Sequence, residues 1–392
     1  MDSLVIADLF VLLFLGLADN QMIAALLPSL LGSLHVSVGV AGLLVAVYSL
    51  TAALASFICG VLSDHYGRRR FLLFGVLLFA LASWTASRAA TFNELVWARA
   101  LTGFAAGTLS TCSITYAADW FEYRVRGRAL GLISSAYFAA PILGVPLAAQ
   151  IADRYGWRRA FLLFAILALA TAALSVSLPK DRLNPQPSSD KLRAAGRSFR
   201  SFLVRRDTAA ALGIAFLVSG GLVGFLTYVG QWLHSQFAIS TRTIGWVFML
   251  GGLVAVGSAP LGGIISDRIG KRSVAIVSNI ILALAVASIP FFSWGFWLLA
   301  AFSVASLGAA FRQGPLTALI SELIPSTQRG AFIALRNIFS QTGIGIAAFL
   351  GGLLYERHGY GAVTTFCAAM TGVVVFLLIT HIVEPQPIQE RV

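Results

Sequence analysis

Long apolar runs separated by short basic clusters make up most of the chain. A helix that crosses a bilayer needs about 20 apolar residues. On that measure the pattern predicts helices over 4–30, 38–62, 71–88, 92–118, 129–151, 160–178, 209–234, 242–265, 273–293, 295–320, 331–354 and 360–383. One boundary needs a physical argument, because no Lys, Arg, Asp or Glu occurs between Arg272 and Arg312. As a single helix that stretch would run about 60 Å at 1.5 Å per residue, twice the roughly 30 Å hydrocarbon core. It must fold back, and Pro290 with residues 293–295 marks the turn. The first run carries Asp2 and Asp8 with no basic leader and no small-residue cleavage site, so it reads as a retained spanning helix.

Composition agrees with this picture. Of 392 residues 58% are apolar and 11% are charged, against about 25% charged in soluble domains. A net charge of +12 would point to nucleic acid in a soluble protein. Here the cations sit between apolar runs, which excludes that reading and a secreted globular domain, and makes the lipid bilayer the partner. Cys59, Cys112 and Cys367 lie inside apolar runs without metal-ligand spacing, so neither a disulfide scaffold nor a metal site is expected. Eight cations (Lys180, Arg182, Lys191, Arg193, Arg197, Arg200, Arg205 and Arg206) mix with Pro179, Pro185 and Pro187 in one break. This divides the chain into a six-helix bundle over 1–178, a linker over 179–207 and a second bundle over 208–392. Loops on the linker side, with Arg68, Arg69, Arg70, Arg124, Arg126, Arg128, Arg268, Lys271, Arg272, Arg329, Arg336 and Arg391, hold twenty cations and the opposite loops six. The positive-inside bias then places both termini and the linker in the cytoplasm.

The two bundles repeat each other. A shift of 203 residues puts Gly60 on Gly263, Ser63 on Ser266, Asp64 on Asp267, Gly67 on Gly270 and Arg69 on Arg272, and without a gap Arg126-Gly127 on Arg329-Gly330 and Arg154 on Arg357. The fold class is therefore all-α integral membrane, twelve transmembrane helices in two pseudo-symmetric six-helix bundles, an arrangement that suits halves rocking about a midplane site.

The duplicated segments Gly60-Val-Leu-Ser-Asp64-His-Tyr-Gly67-Arg68-Arg69-Arg70 and Gly263-Ile-Ile-Ser-Asp267-Arg-Ile-Gly270-Lys271-Arg272 resemble the signature loop of the major facilitator superfamily. Arg99-Ala-Leu-Thr-Gly103-Phe-Ala-Ala-Gly107 looks like a second motif of that family, and Asp19 followed by Pro28 looks like its twelve-helix drug:proton antiporter branch. The stretch Ala136-Tyr-Phe-Ala-Ala140-Pro141-Ile-Leu-Gly144-Val-Pro146 departs from that branch's Gly-x-x-x-Gly-Pro and is closer to its sugar-efflux and small-metabolite exporters. In the loop motif Gly60 permits close helix approach, Gly67 supplies a positive-φ turn and Asp64 is placed to accept hydrogen bonds from a helix N-terminus. The resemblance implies that Asp64 docks on helix 11 and Asp267 on helix 5, a cytoplasmic gate made of Gly60, Asp64, Gly67, Arg68, Arg69, Gly263, Asp267, Gly270, Lys271 and Arg272. A plain positive-inside loop with a turn aspartate is the other reading.

Asp19 lies well inside helix 1, where burial costs about 2.5–3.5 kcal/mol on insertion scales. Arg99, some seven residues into the oppositely running helix 4, reaches the same depth. The family's cavity helices include both, which makes Asp19 with Arg99 a proton-coupling pair. A static ion pair, or a cap at a local unwinding before Asn20, is the alternative. Arg312 in helix 10 has no acidic neighbour in sequence and no counterpart in the first repeat, where Leu109 stands. It suits an anionic or polyhydroxylated substrate if it faces a wet cavity, and snorkelling to the surface is the alternative. Tyr228, Gln231 and His234 share a face of helix 7, and Asn337 and Gln341 share one of helix 11. Tyr228, Gln231, Asn337 and Gln341 are substrate-contact candidates, with interhelical hydrogen bonding the alternative for Asn337 and Gln341. His234 reads as a solvated interface residue and Tyr48, Tyr137 and Trp246 as packing aromatics. Asp8 reads as reaching water at the helix end, and Asp119, Glu122 and Glu322 as part of a cytoplasmic charge network.

No phosphate loop, His-Glu-x-x-His or Gly-x-Ser-x-Gly elbow occurs in the sequence. The expectation is not an enzyme but a secondary transporter without cofactor, functional as a monomer in a bacterial inner membrane. Its partners are protons and a small-molecule substrate. One proton crossing 100 mV supplies about 2.3 kcal/mol, enough for a concentration ratio near fortyfold at about 1.4 kcal/mol per factor of ten. The favoured reading is proton-coupled efflux of a drug or sugar-like metabolite. The alternative is a facilitator or importer of an organic anion anchored by Arg312.

Overall fold

In a computed structural model, which describes residues 2–179, 199, 201–324, 329–382 and 384, the chain is helical with no strand among the described residues. The side chains at 61, 64, 123 and 329 also lie outside the described set, so nothing bears on Asp64's carboxylate. Lys180, Arg182, Lys191, Arg193, Arg197 and Arg200 of the linker and Arg391 of the tail fall outside it too. The helices are α1 (Asp2–Leu34), α2 (Leu43–Tyr66, after the turn Val38–Ala41), α3 (Arg68–Arg88), α4 (Phe92–Trp120), α5 (Tyr123–Ser134, Ala136–Ala139 and Val145–Tyr155 joined through the π turn Ala140–Gly144) and α6 (Trp157–Ser175). The second set is α7 (Arg206–Phe237), α8 (Thr241–Ile269), α9 (Lys271–Ser288), α10 (Phe296–Glu322), α11 (Arg329–His358) and α12 (Tyr360–Thr380). Eleven of the described helices are long and apolar enough to cross a membrane. The remaining one, α4, has the length at 29 residues, but Thr102, Thr108, Ser110, Thr111, Ser113 and Thr115 dilute its apolar run.

Most helices pass the predicted bounds because the basic clusters are themselves helical, α3 starting at Arg68 and α9 at Lys271. Single glycines with positive φ reverse the chain between them: Gly67 (95°) and Gly270 (104°), Gly156 (82°) and Gly359 (77°). Each pair is related by the 203-residue shift, and a side chain at any of the four would be strained. The run without charge folds back at the 3-10 turn Ile289–Phe291 around Pro290.

The repeat extends to side-chain bonds. Arg68 pairs with Asp119 at 2.7 Å and Lys271 with Glu322 at 2.6 Å, at equivalent positions. Arg69 donates to the Val176 carbonyl and Arg272 to that of Ile379, again equivalent. These bonds tie the linker-side ends of α3 and α9 to neighbouring helices, with Asp119 and Glu322 of the expected charge network in ion pairs.

The two sets of six helices touch at the end far from the linker. A Cβ on Gly42 would lie 2.3 Å from the Ala348 carbonyl oxygen, and one on Gly352 2.6 Å from that of Gly39. Across the other seam Gly245 abuts Pro146 and Ala149, and Gly252 abuts Pro141 and Ile142. Toward the linker the seams part: Gly127, Gly131, Gly263, Gly314 and Gly330 have nothing within 4 Å of a built Cβ, and Leu132, Ile264 and Ile333 are exposed. The halves thus form a wedge, closed at the far end and open at the linker end.

Candidate functional site

The most tightly enclosed charges sit in the first six helices. Asp19 of α1 and Arg99 of α4 form an ion pair through Oδ2 and Nη1, both side chains at 0% exposure. Arg99 also donates to the Asn20 Oδ1 at 3.4 Å and, from Nε, to the Leu44 carbonyl of α2 at 3.4 Å. Its guanidinium lies over the Tyr48 ring at 4.3 Å, and Tyr48 donates its hydroxyl hydrogen to the Gly16 carbonyl at 2.7 Å. The Asp19 Oδ1 is buried and has no hydrogen-bond partner among the described residues. A buried carboxylate with one oxygen left unserved is costly in its ionised form and is relieved by a proton.

The glycines of the α4 motif explain how Arg99 gets there. A Cβ on Gly103 would stand 2.2 Å from the Tyr48 carbonyl oxygen and one on Gly107 2.3 Å from that of Ala52. This brings α2 and α4 to backbone contact in register, and one turn earlier the same register places Arg99 against Leu44. The second repeat keeps the close approach with the glycine on the other helix: Gly251 of α8 abuts Ser306 of α10. Asp19 and Arg99 therefore meet inside the first bundle, among α1, α2 and α4, and not across an open cavity.

Arg312 is 1% exposed. Its Nη1 donates to the Asn279 Oδ1 of α9 at 2.8 Å and its Nη2 to the Val218 carbonyl of α7 at 3.1 Å. Protein encloses it, so in this conformation Arg312 neither opens to a wet cavity nor snorkels to the surface, unlike either sequence reading. Arg336 of α11 is half-buried and close enough to Tyr137 of α5, in the other half, for the two to interact electrostatically, with Ser110 of α4 beside Tyr137. Tyr137 is 51% exposed although it lies near the middle of α5, which places it in the open wedge and not in packing, contrary to the sequence reading. Pro141, which the sequence shows one turn away, lies in the π turn Ala140–Gly144.

The other candidates divide. Tyr228 is fully buried and donates to the Ala348 carbonyl at 2.5 Å, and its hydroxyl also fills the space beside Gly42 and Gly352, so it seals the far end. Gln231 is half-buried, its Oε1 without a hydrogen-bond partner among the described residues. Asn337 and Gln341 are half-buried on the wedge-lining helix. His234 is exposed, its Nδ1 2.9 Å from the Ile239 carbonyl oxygen. Asp267 is exposed. Asp8 corrects the sequence reading: it is 1% exposed, and both carboxylate oxygens lie 3.0 Å from the Ser175 hydroxyl of α6, because α6 covers the end of α1 that was expected to reach water.

Comparisons with known proteins bear on this arrangement. A family model described as Major Facilitator Superfamily matches residues 9–235 and 211–391. An uncharacterized MFS-type transporter of Bacillus subtilis is 25% identical over 356 residues, which is 90% of this chain and 86% of the relative. A probable nitrate/nitrite transporter of Mycobacterium tuberculosis is 30% identical over 289 residues, 69% of each chain. Among solved structures, a D-xylose-proton symporter superposes with a TM-score of 0.79 at 18% identity, covering 98% of each chain, a likeness of fold alone. The chain, a multi-pass membrane transporter and not an enzyme, belongs to the Major Facilitator Superfamily.

Proposed function

We propose that the protein is a proton-coupled transporter working by alternating access, with Asp19 and Arg99 as the coupling pair, and that it exports a small organic compound such as a drug or sugar-like metabolite. The observation that carries this reading is the buried, unserved Asp19 Oδ1 next to an Oδ2 held by Arg99. A proton on Asp19 removes the charge that holds Arg99. Arg99 also grips the Leu44 carbonyl, two residues from Gly42, where α2 meets the Ala348 carbonyl and Tyr228 at the far-end closure. Protonation and the state of that closure are thereby linked, as coupling requires.

In this reading the bundles over 1–178 and 208–392 rock about the wedge apex, joined by the linker over 179–207. The gate at Gly60, Asp64, Gly67, Arg68, Arg69, Gly263, Asp267, Gly270, Lys271 and Arg272 forms when the linker end shuts. The positive-inside bias puts that end in the cytoplasm of a bacterial cell, with both termini there, and a single chain suffices for the cycle. A second reading, a facilitator or importer of an organic anion, is favoured by Arg312 and Arg336 inside the last six helices, where no acid lies away from a helix end.

The test is proton movement in liposomes holding a pH-sensitive dye, with lipophilic cations, sugars and organic anions offered to wild type and Asp19→Asn. Proton counterflow with one compound class, lost in the variant, is the expected result. Compound flux without proton movement, unchanged in Asp19→Asn, sinks the coupling reading and leaves the facilitator.

A further inference from the structure

We propose that Arg336, with Tyr137 and Ser110, forms an anion subsite at the wedge apex, and that the transported compound carries a planar oxyanion, a carboxylate or a nitrate-like group. This rests on the transport reading and holds for either direction of flux.

Three observations converge on it. The first is position. Tyr137 lies one turn from Pro141, which touches Gly252, and Gln341 lies one turn from Gly345, which touches Ala46 and Leu50. The Ala136–Ala139 segment still touches α8, so Tyr137 stands beside the seam and its half-exposed side chain borders the opening. Arg336 enters it from α11, and Tyr137 and Ser110 from α5 and α4, so the subsite draws on both halves.

The second is charge. Inside the last six helices the acids are Asp207, Asp267, Glu322 and Glu356, each within three residues of a helix end. Arg312 and Arg336 therefore create a positive field in the interior that no carboxylate of that half offsets. Among the described residues no ion pair joins Arg336 to an acid. Arg312 spends its two Nη atoms on Asn279 and Val218, leaving Arg336 as the guanidinium whose fork is open to a ligand. A guanidinium presents two parallel N–H donors that match the two oxygens of a planar oxyanion.

The third is the set of neutral groups around it. The Tyr137 and Ser110 hydroxyls offer donors from the other half, and the Asn337 and Gln341 amides are half-buried on the same helix as Arg336. Neutral donors around one cation select a monoanion and leave hydroxyl or ring groups of the compound to the amides. An anion bridging Arg336 and Tyr137 would also draw the halves together at the apex, the motion that closes the linker end.

The test uses the purified full chain in lipid nanodiscs, titrated with nitrate, galacturonate and galactose, with binding read from tryptophan fluorescence and from the shift in thermal midpoint. At least one anion is expected to bind wild type, and galactose more weakly than galacturonate. Nitrate binding alone identifies an inorganic oxyanion, and galacturonate binding alone an organic carboxylate. Arg336→Gln is expected to weaken the anion by about tenfold or more, and Tyr137→Phe by about fivefold. Arg336→Lys, which keeps the charge but not the fork, is expected to fall between wild type and Arg336→Gln, and it serves if the glutamine variant does not fold. Galactose binding as tightly as galacturonate, no anion binding by wild type, or anion affinity unchanged in the Arg336 variants would each overturn the proposal. Proton movement in Asp19→Asn is read separately, so loss of the coupling reading leaves the anion result standing, and the reverse.

Discussion

Arg99 and Arg312 sit on the same helix of their respective repeats, α4 and α10, both enclosed by protein, and they are held in opposite ways. Arg99 has a carboxylate, Asp19, and an aromatic face, Tyr48. Arg312 has only dipoles, the Asn279 amide and the Val218 carbonyl. The repeat does not impose this difference: under the 203-residue shift Leu222 stands where Asp19 would be, and Leu109 and Phe302 where the arginines would be. Duplication supplied the frame, and each half then placed its interior charge on its own. An arginine stays protonated in either setting, so the group that a proton can neutralise in the first pocket is Asp19, and the second pocket is a fixed cation.

The sharpest way to break this comparison is to replace each arginine by methionine and measure the thermal midpoint of the purified protein. Arg99→Met leaves a buried carboxylate without its cation and is expected to cost about 3–5 kcal/mol. Arg312→Met removes a cation that had no acid to leave behind, and is expected to be near neutral, the unmet Asn279 oxygen costing about 1–3 kcal/mol against the cation desolvation it relieves. Equal losses in the two variants would mean that Arg312 has a counter-charge of its own and that the pockets are alike.

A second contrast concerns glycine. Gly103→Ala puts a methyl group 2.2 Å from the Tyr48 carbonyl oxygen, so α2 must move, at an expected cost of about 1–3 kcal/mol. The shift also lengthens the Arg99 contact to Leu44, so coupling should weaken along with stability. Gly263→Ala meets nothing within 4 Å and should gain about 0.5–1 kcal/mol from helix preference. A tolerated Gly103→Ala would show that α4 does not set the depth of Arg99.

The sequence made the frame legible because its signals are local and repeated. Apolar run length sets the helix count, and the paired glycines at 67 and 270 have to take positive φ. The Asp19 and Arg99 match in depth was readable from helix direction alone. What could not be read was the direction in which interior polar side chains point. In a soluble helix an apolar stripe marks the inside, but lipid and bundle interior are both apolar, so that signal vanishes. For this reason Asp8 reads as reaching water but is covered by α6, Arg312 reads as facing a cavity but is enclosed, and Tyr137 reads as a packing ring but is half-exposed. The relation of Arg336 to Tyr137 spans the two halves, and no spacing within either repeat encodes it.

The smallest effect tests the other side of the comparison, the part of the molecule where the halves ought to behave alike. Arg68 with Asp119 and Lys271 with Glu322 occupy equivalent places at the linker end, and the two acids are 42% and 38% exposed. Exposed pairs of this kind are worth about 0.2–1 kcal/mol, reduced further by salt. Asp119→Asn and Glu322→Gln are therefore each expected to lower stability by no more than that, by similar amounts, and with similar loss of the effect as salt is raised. Thermal midpoints at low and high salt check it. If one substitution costs several times the other, the outer frame has diverged as far as the interior has, and the division between an inherited frame and independently placed charges is wrong. If the two match while Arg99→Met and Arg312→Met do not, the asymmetry is confined to the pockets, where a transporter with pseudo-symmetric halves must break symmetry to couple a proton in one half to a ligand held by the other.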